Sequence, residues 1–488
     1  MTALRLCPLL LAALLATGCA VGPDFQRPES AAPADWAAWH GGSADLLGAE
    51  RKAPPNAALG GWAAFGDPLL EQLQARALTQ NAELRSAALR FGQSRAMRQI
   101  TAAQAGPRVG ASASVSRQRQ SEDGAAMRPI QIIVPPAAQQ PIIDAITEPF
   151  TLYDAGFDAS WELDLWGRVR RSIESADAEQ QASAALLRQV QLSIQAEVAR
   201  RYFELRGAQR QLRIAQEDLW AGSDSLALVQ ARADGGLVTD LDPVRQRALL
   251  AELRARIPAL QQQEALALAQ ITLLLGERPG TLDAQLASSA EPRARALPDL
   301  ALGLPSELVQ RRPDIAVAEA RLHAATAQVG VATADLYPRI TLGLAGGLES
   351  VSASNFGDWG NRDWRIGASL SLPIFDMGRR RGTIQLRDLQ QQEAAVAYHQ
   401  TVLQAWHEVD NALSSYTAEQ QRQAQLRERE RQSRDALMLA QARYRGGLTD
   451  FGVELDAQRT LLAAQREAAD SDSRLALGLV AVYKALGV

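Results

Sequence analysis

The chain repeats itself, and the repeat limits what it can fold into more than any other feature. Asn81 to Val109 aligns without gaps onto Arg312 to Ile340, an offset of 231 residues, with Pro107-Arg108 falling on Pro338-Arg339. Further on, Gly167-Arg168 falls on Gly378-Arg379 and Ile173 on Ile384 at an offset of 211. The second offset persists through Glu197-Val198 on Glu408-Val409, and through Gln230-Ala231-Arg232 on Gln441-Ala442-Arg443. It ends at Gly235-Gly236-Leu237 on Gly446-Gly447-Leu448. One supersecondary unit is therefore used twice. The drop in offset places twenty extra residues in the first copy, within a Pro-, Gln- and Gly-rich stretch from Arg119 to Pro149. That stretch is predicted as a long exposed loop. Its counterpart, 349–363, is short and rich in Gly and Asn.

Strands are predicted on both sides of each loop. Val109, Ala111, Ala113 and Val115 alternate with Gly110, Ser112, Ser114 and Ser116. Ala155, Phe157, Ala159, Trp161, Leu163 and Leu165 alternate with small or polar residues, as do Ile340, Leu342 and Leu344, and Ile366, Ala368, Leu370, Leu372 and Ile374. Period two over about ten residues, with one apolar and one small or polar face, is the pattern of a membrane barrel strand. The predicted strands are 108–118, 152–165, 339–348 and 364–374. After each pair comes a proline-free run, from Arg168 to Ala233 and from Arg379 to Val488. At 1.5 Å per residue, an unbroken helix of that first run reaches about 100 Å. Ala182, Ala185, Leu186, Gln189, Leu192 and Ala196 recur at helical spacing, and so do Ala436, Leu437, Leu439, Ala440 and Ala442. Small side chains at those positions suit close, coiled-coil-like packing. The Gly pairs at 235–236 and 446–447 read as tight reversals, with Thr or Asp able to cap the following helix.

Met1 to Cys19 has the form of a secretory signal: Arg5, then an apolar run from Leu6 to Ala16, too short to span a bilayer. Ala16-Thr17-Gly18-Cys19 is similar to a bacterial lipobox, so Cys19 is expected to become the acylated N-terminus. Ala20, in place of an Asp at that position, makes the outer membrane the expected destination. Nowhere else do 18 apolar residues run together, so anything that crosses a membrane does so as strands.

Four strands cannot close a membrane barrel, for which eight is the usual minimum, and an open sheet in lipid leaves its edge backbone groups unsatisfied. Copies of the same chain must complete the cylinder. Two copies give eight strands and a bore filled by side chains; three give twelve and an aqueous lumen. The strand count alone does not choose between them.

Several segments resemble the outer-membrane factor family of TolC-like exit ducts, and within it the lipidated NodT-type branch of multidrug efflux proteins. They are Cys19 to Pro28, "WAAFGDPLL" at 62–70, "ELVQRRPDI" at 307–315, "LYPRI" at 336–340, "LPIFDMGRRRG" at 372–382 and "ARYRGGLTDFGVELDAQR" at 442–459. The resemblance implies a mainly α chain with a membrane β-barrel and two tandem repeats. The trimer it implies has twelve strands continuing into a long periplasmic α-helical barrel. It also implies a periplasmic membrane-fusion adaptor, an inner-membrane pump of the RND type and outer-membrane lipid as partners. Gly236, Leu237, Val238 and Thr239, with Gly447, Leu448 and Thr449, are similar to the tip turns that engage adaptor hairpins. Asp456 resembles the carboxylate lining the tip constriction, which as a ring would favour cations. Tyr444 resembles a tyrosine that latches neighbouring helices. Where some members carry a second aspartate, this chain has Val453 with Glu454 beside it.

The layout that follows is a signal peptide over 1–18 and a lipidated segment over 19–67. The first repeat covers 68–290 with a helical hairpin at 168–256, and the second covers 300–488 with a hairpin at 379–488. Catalysis, a metal and a cofactor other than the lipid on Cys19 are not expected. Two Cys and four scattered His make no metal set, and His407-Glu408-Val409-Asp410-Asn411 has Asn where a zinc-protease motif needs its second His. A formal net charge of −4 carries no basic surplus for nucleic acid. The expected function is a passive outer-membrane duct for small molecules such as drugs. The alternatives are a duct for type I protein secretion, or a periplasmic coiled-coil scaffold without a pore.

Overall fold

The computed structural model describes residues 20–29, 61–287 and 311–488. The expected signal peptide, Cys19 and most of the N-terminal segment lie outside these residues. The chain divides into two compact units: 20–26, 94–180 and 321–394 form one, and 27–29, 61–93, 181–287, 311–320 and 395–488 form the other.

The first unit is built on an antiparallel sheet in chain order. Its strands are β1 (Arg108–Gln118), β2 (Phe150–Leu163), β3 (Arg339–Ser350) and β4 (Arg362–Ser371). β2 ends two residues before the predicted limit because Asp164 turns the chain: its carboxylate accepts from the backbone N–H of Val169 (2.9 Å) and Arg170 (2.8 Å) at the start of the next helix. β4 ends at Ser371, so Leu372 and Ile374 are not strand residues. Pro373 has no N–H to give to a ladder, and Met377 and Gly378 follow at φ 55° and 81° to redirect the chain. The insertion in the first copy is not an unstructured loop. It contains two short helices, α3 (Arg128–Ile133) and α4 (Pro136–Thr147), which bury Met127, Ile143 and Thr147. Proline in the first turn of each costs no intrahelical bond.

The remaining principal elements are helices. α1 (Pro68–Gln80) starts on Asp67, whose carboxylate caps the N–H of Leu69 at 3.0 Å and accepts the Tyr202 hydroxyl at 2.6 Å. α2 (Ala82–Ala102) and α8 (Pro313–Ala334) begin at the two repeat-equivalent positions. Each copy then has a long helix, α5 (Arg168–Asp234) or α9 (Arg379–Arg445), both of 67 residues, and a return helix, α6 (Leu241–Leu274) or α10 (Phe451–Leu486). α7 (Asp283–Leu286) is a single turn. α6 does not stop at 256 as expected but runs through Pro258 for another sixteen residues. Burial of Ala267, Ile271 and Thr272 beyond the proline offsets the roughly 3 kcal/mol a mid-helix proline costs.

The internal repeat is visible as bonding as well as shape. Asn81 Nδ2 donates to the carbonyl of Leu274, at the end of α6, at 2.8 Å. Its counterpart Arg312 donates from Nη1 to the carbonyl of Ala485, at the end of α10, at 2.9 Å. Different side chains thus satisfy the same orphan helix-end carbonyl in both copies. Of the predicted helix stripes, Ala182, Ala185, Ala196 and Ala440 are buried, whereas Leu186 and Leu439 stay exposed in the single chain.

Candidate functional site

Two features bear on function, one in each unit. The first is the sheet. Register places Val109, Ala159, Leu344 and Ile366 side by side across all four strands, and Ala111, Phe157, Gly346 and Trp364 in the next row of the same face. Trp161, Leu342 and Ala368 continue that face. The intervening rows point the other way: Gly110, Asp158, Ala345 and Arg365, then Ser112, Gly156, Gly347 and Asp363. One face is therefore apolar over its whole width and the other small or polar. The apolar residues are not a soluble core, since Phe157 and Ile366 are each 70% exposed.

Aromatic rings mark both ends of this apolar band. Tyr153 lies towards the loops and packs on Phe356 with ring centroids 6.4 Å apart. Trp161 lies towards the helices, with Nε1 donating to the carbonyl of Ala105 at 2.9 Å. Just beyond the strand, Trp166 donates to the carbonyl of Pro338 at 2.9 Å and stacks on Tyr337 at 4.7 Å. An apolar belt between aromatic girdles is the signature of a lipid-facing wall. Gly156 and Gly347 face one another on the polar side, where a methyl group on Gly347 would lie 2.6 Å from the carbonyl oxygen of Ala155. β1 and β4 each pair on one side only within the chain.

The second feature is the pair of helix reversals. The N–H of Leu237 reaches the carbonyl of Arg232 at 2.8 Å and that of Gly236 the carbonyl of Ala233 at 2.9 Å. Leu448 to Arg443 (2.9 Å) and Gly447 to Tyr444 (3.0 Å) repeat the pattern. Both are Schellman closures with glycine in the left-handed region, at φ 72° and 69°. The two reversals differ in how the next helix starts. Asp450 caps α10 by accepting from Val453 N–H at 3.2 Å, while Asp240 makes no side-chain cap. Leu237 and Leu448 project outwards, 76% and 72% exposed. Val238 instead packs inwards on the core that joins the hairpins.

That core contains Val229, Leu250, Leu253, Tyr444, Phe451 and Leu455. Tyr444 is at its centre, 5.5 Å from the ring of Phe451. The guanidinium of Arg232 lies 4.5 Å over the Tyr444 ring, and Nη1 donates to the Tyr444 carbonyl at 3.4 Å. Arg232 was available in the sequence as part of the repeated Gln-Ala-Arg, but periodicity gave it no role. Its role arises only when the hairpins dock. Glu454 is buried beside the same core. Burial pushes its carboxyl up, and Arg445 and Arg232 partly draw it back. Val453 is exposed, and so is Asp456, whose carbonyl receives the Thr460 hydroxyl at 2.9 Å. Tyr444 is thus brought together with the turn residues, whereas Asp456 lies on the open side of α10. Among the described residues no group of His, Cys, Asp and Glu is arranged to hold a metal ion, and no helix is long and apolar enough to cross a membrane.

The family model of outer membrane efflux proteins matches residues 73–277 and 304–488. The outer membrane protein OprJ of Pseudomonas aeruginosa is 33% identical over 482 residues, covering 98% of this chain and 94% of the relative. The pyoverdine export outer membrane protein OpmQ of Pseudomonas putida is 36% identical over 431 residues, 87% of each. Among solved structures, the outer-membrane channel OprN superposes with a TM-score of 0.81 at 36% identity, covering 96% of this chain and 99% of that one.

Proposed function

The chain belongs to the outer membrane efflux protein family, and on that premise we propose that it is the passive exit duct of a tripartite efflux system. It resides in the outer membrane, with a helical barrel in the periplasm. Three copies close the wall with twelve strands. The observation that carries this reading is the register: one apolar face continuous over four strands that end in two open edges. Lipid tolerates no such edge. Three copies are favoured over two by the other face, where Gly110, Ser112, Gly156 and Gly347 bring little side-chain volume with which to fill an eight-stranded bore.

Cys19 carries the N-terminal lipid. In support, Ala20 lies against Gly167, just past the end of β2, and Val21 N–H bonds to the Trp166 carbonyl at 3.1 Å. The turns at Gly236–Thr239 and Gly447–Thr449 receive a periplasmic adaptor, to which Leu237 and Leu448 offer apolar side chains. Tyr444 holds the hairpins together there, and Asp456 contributes a carboxylate ring to the constriction. An inner-membrane pump of the RND type supplies the energy, and the duct performs no chemistry on its cargo and needs no metal or cofactor. The cargo is small molecules, in keeping with relatives named for pyoverdine export and toluene efflux.

The test is the detergent-extracted protein, measured for mass and then for single-channel current in planar bilayers. A trimer with stable conductance is expected. A monomer, or a trimer silent at every voltage, would refute the duct and leave a scaffold.

A further inference from the structure

The long helix α5 carries a charged residue where its packing calls for an apolar one. Ala208, Gln209, Ala215, Asp218, Gly222 and Val229 are its buried positions in this stretch, and Asp218 is the one ionisable side chain among them. Asp218 is only 9% exposed, and its Oδ2 is shut off from solvent with no hydrogen-bond partner. Two helices pack on this stretch. From α6, Gln246 donates to the Gly222 carbonyl at 2.9 Å, and Leu250 presses on Gly222. From α10, the Arg466 carbonyl accepts from Gln211 at 3.3 Å, and Gln458 approaches Gly222.

The hydrogen-bond accounting here is one-sided. Besides Asp218 Oδ2, the side-chain oxygens of Gln246 and Gln465 are buried without a donor. A buried acceptor without a donor is costly in a packed interior. The simplest missing donor is a proton on the carboxyl itself. The charges acting on Asp218 do not supply a counter-ion of hydrogen-bond quality: Glu217 on its own helix repels, and Arg256 on α6 attracts only at a distance. Glu252 and Arg254 of α6 and Asp456 and Arg459 of α10 are exposed, Arg466 of α10 is half-buried, and Glu467 of α10 pairs with Arg429 at 2.7 Å.

We propose that Asp218 is a proton-operated element of the helix packing: as a neutral carboxylic acid it lets α6 and α10 close on α5, and as a carboxylate it loosens that stretch. Desolvation, with Glu217 adding to it and Arg256 opposing, pushes the carboxyl up to about 7. An exposed Asp in the locally opened state titrates near 4. Between those values the closed state binds the extra proton, so closure weakens as pH rises.

The test is hydrogen exchange of the full-length protein in detergent, corrected for the intrinsic pH dependence of exchange and read over α5 residues 211–226. In the wild type, opening should rise by up to about fiftyfold from pH 5 to pH 7 and level off above pH 8. Asp218→Asn keeps the shape and removes the titration, so its opening should be flat. Arg256→Gln takes away the attracting charge and should move the levelling-off to higher pH, which provides a reading even if Asp218→Asn assembles poorly. A wild type without the pH-dependent rise, or a rise that persists unchanged in Asp218→Asn or is unmoved in Arg256→Gln, would overturn the proposal.

Discussion

Replacing Phe157 by Arg tests the assignment of the two sheet faces most directly. Phe157 lies four residues from Tyr153 and four from Trp161, all three on the apolar face of β2. At about 3.3 Å per residue and a tilt near 40°, each aromatic is roughly 10 Å away along the membrane normal. Phe157 is therefore at the middle of an apolar band about 25 Å tall. An arginine at that depth on the lipid face costs about 2–4 kcal/mol. The loss of a fully immersed phenyl ring adds about 1.5–3 kcal/mol. The sum, about 3.5–7 kcal/mol per copy, lowers the assembled fraction by more than two orders of magnitude wherever assembly is in equilibrium with the unfolded chain. Ser112→Arg is the control: the same charge, on β1, one row along on the opposite face, beside the space left by Gly156 and Gly347. Outer-membrane fractions would be assayed for heat-modifiable oligomer on gels, and the strains for drug susceptibility. Phe157→Arg should lose both oligomer and resistance, while Ser112→Arg keeps the oligomer and changes conduction. If both variants assemble equally well, or Ser112→Arg is the one that fails, the faces are assigned the wrong way round.

Three further outcomes are expected. Gly447→Val forces a β-branched residue to φ 69°, at a cost of about 1–2 kcal/mol or more; oligomers should persist while a pump-dependent strain becomes drug-sensitive, and unchanged resistance would remove this turn from adaptor docking. Arg232→Ala removes the guanidinium over Tyr444, worth about 0.5–2 kcal/mol, and also one of the two cations that draw the Glu454 carboxyl back down. Since a raised carboxyl favours the folded state when protonated, hairpin protection against exchange in this variant should recover on acidification, and an equal loss at pH 5 and pH 7.5 would count against the coupling. Asp456→Ala should change conductance and cation preference; identical channels would take this exposed carboxylate out of the constriction.

What could be read from the sequence, and what could not, divides along the range of the interactions. The strand faces were legible because a period of two needs only neighbouring residues, and the register across β1 to β4 then kept every apolar row aligned. The reversals were legible because a Schellman closure demands glycine at one position, which Gly236 and Gly447 provide. The strand ends were misjudged wherever a local competitor intervened, as with the Asp164 cap and Pro373. The helices of the insertion were missed because their order comes with the burial of Met127, Ile143 and Thr147, which no periodicity records. The same holds for Arg232 over Tyr444 and for Asp218. Each acquires its meaning from a helix distant in sequence, and Asp218 breaks the Ala/Leu pattern used to recognise its own helix.

The repeat sharpens this point, because it separates what the fold requires from what one copy alone does. Asn81 and Arg312 occupy equivalent positions and bond to equivalent carbonyls, Leu274 and Ala485, so that bond is demanded by the unit itself. Asp218 has Arg429 as its equivalent at the offset of 211, and Arg429 reaches outwards to Glu467 at 2.7 Å. The unit therefore folds without a buried acid at that site. A carboxyl retained in one hairpin, against the desolvation it suffers there, is not a requirement of the helical architecture. Its consequences centre on α5, so a pH-dependent loosening would act on the packing of α6 and α10 against α5 and leave α9 unchanged. Exchange measured over both hairpins in one experiment carries its own internal reference: a pH response of equal size in α9 would trace the effect to the common fold rather than to Asp218.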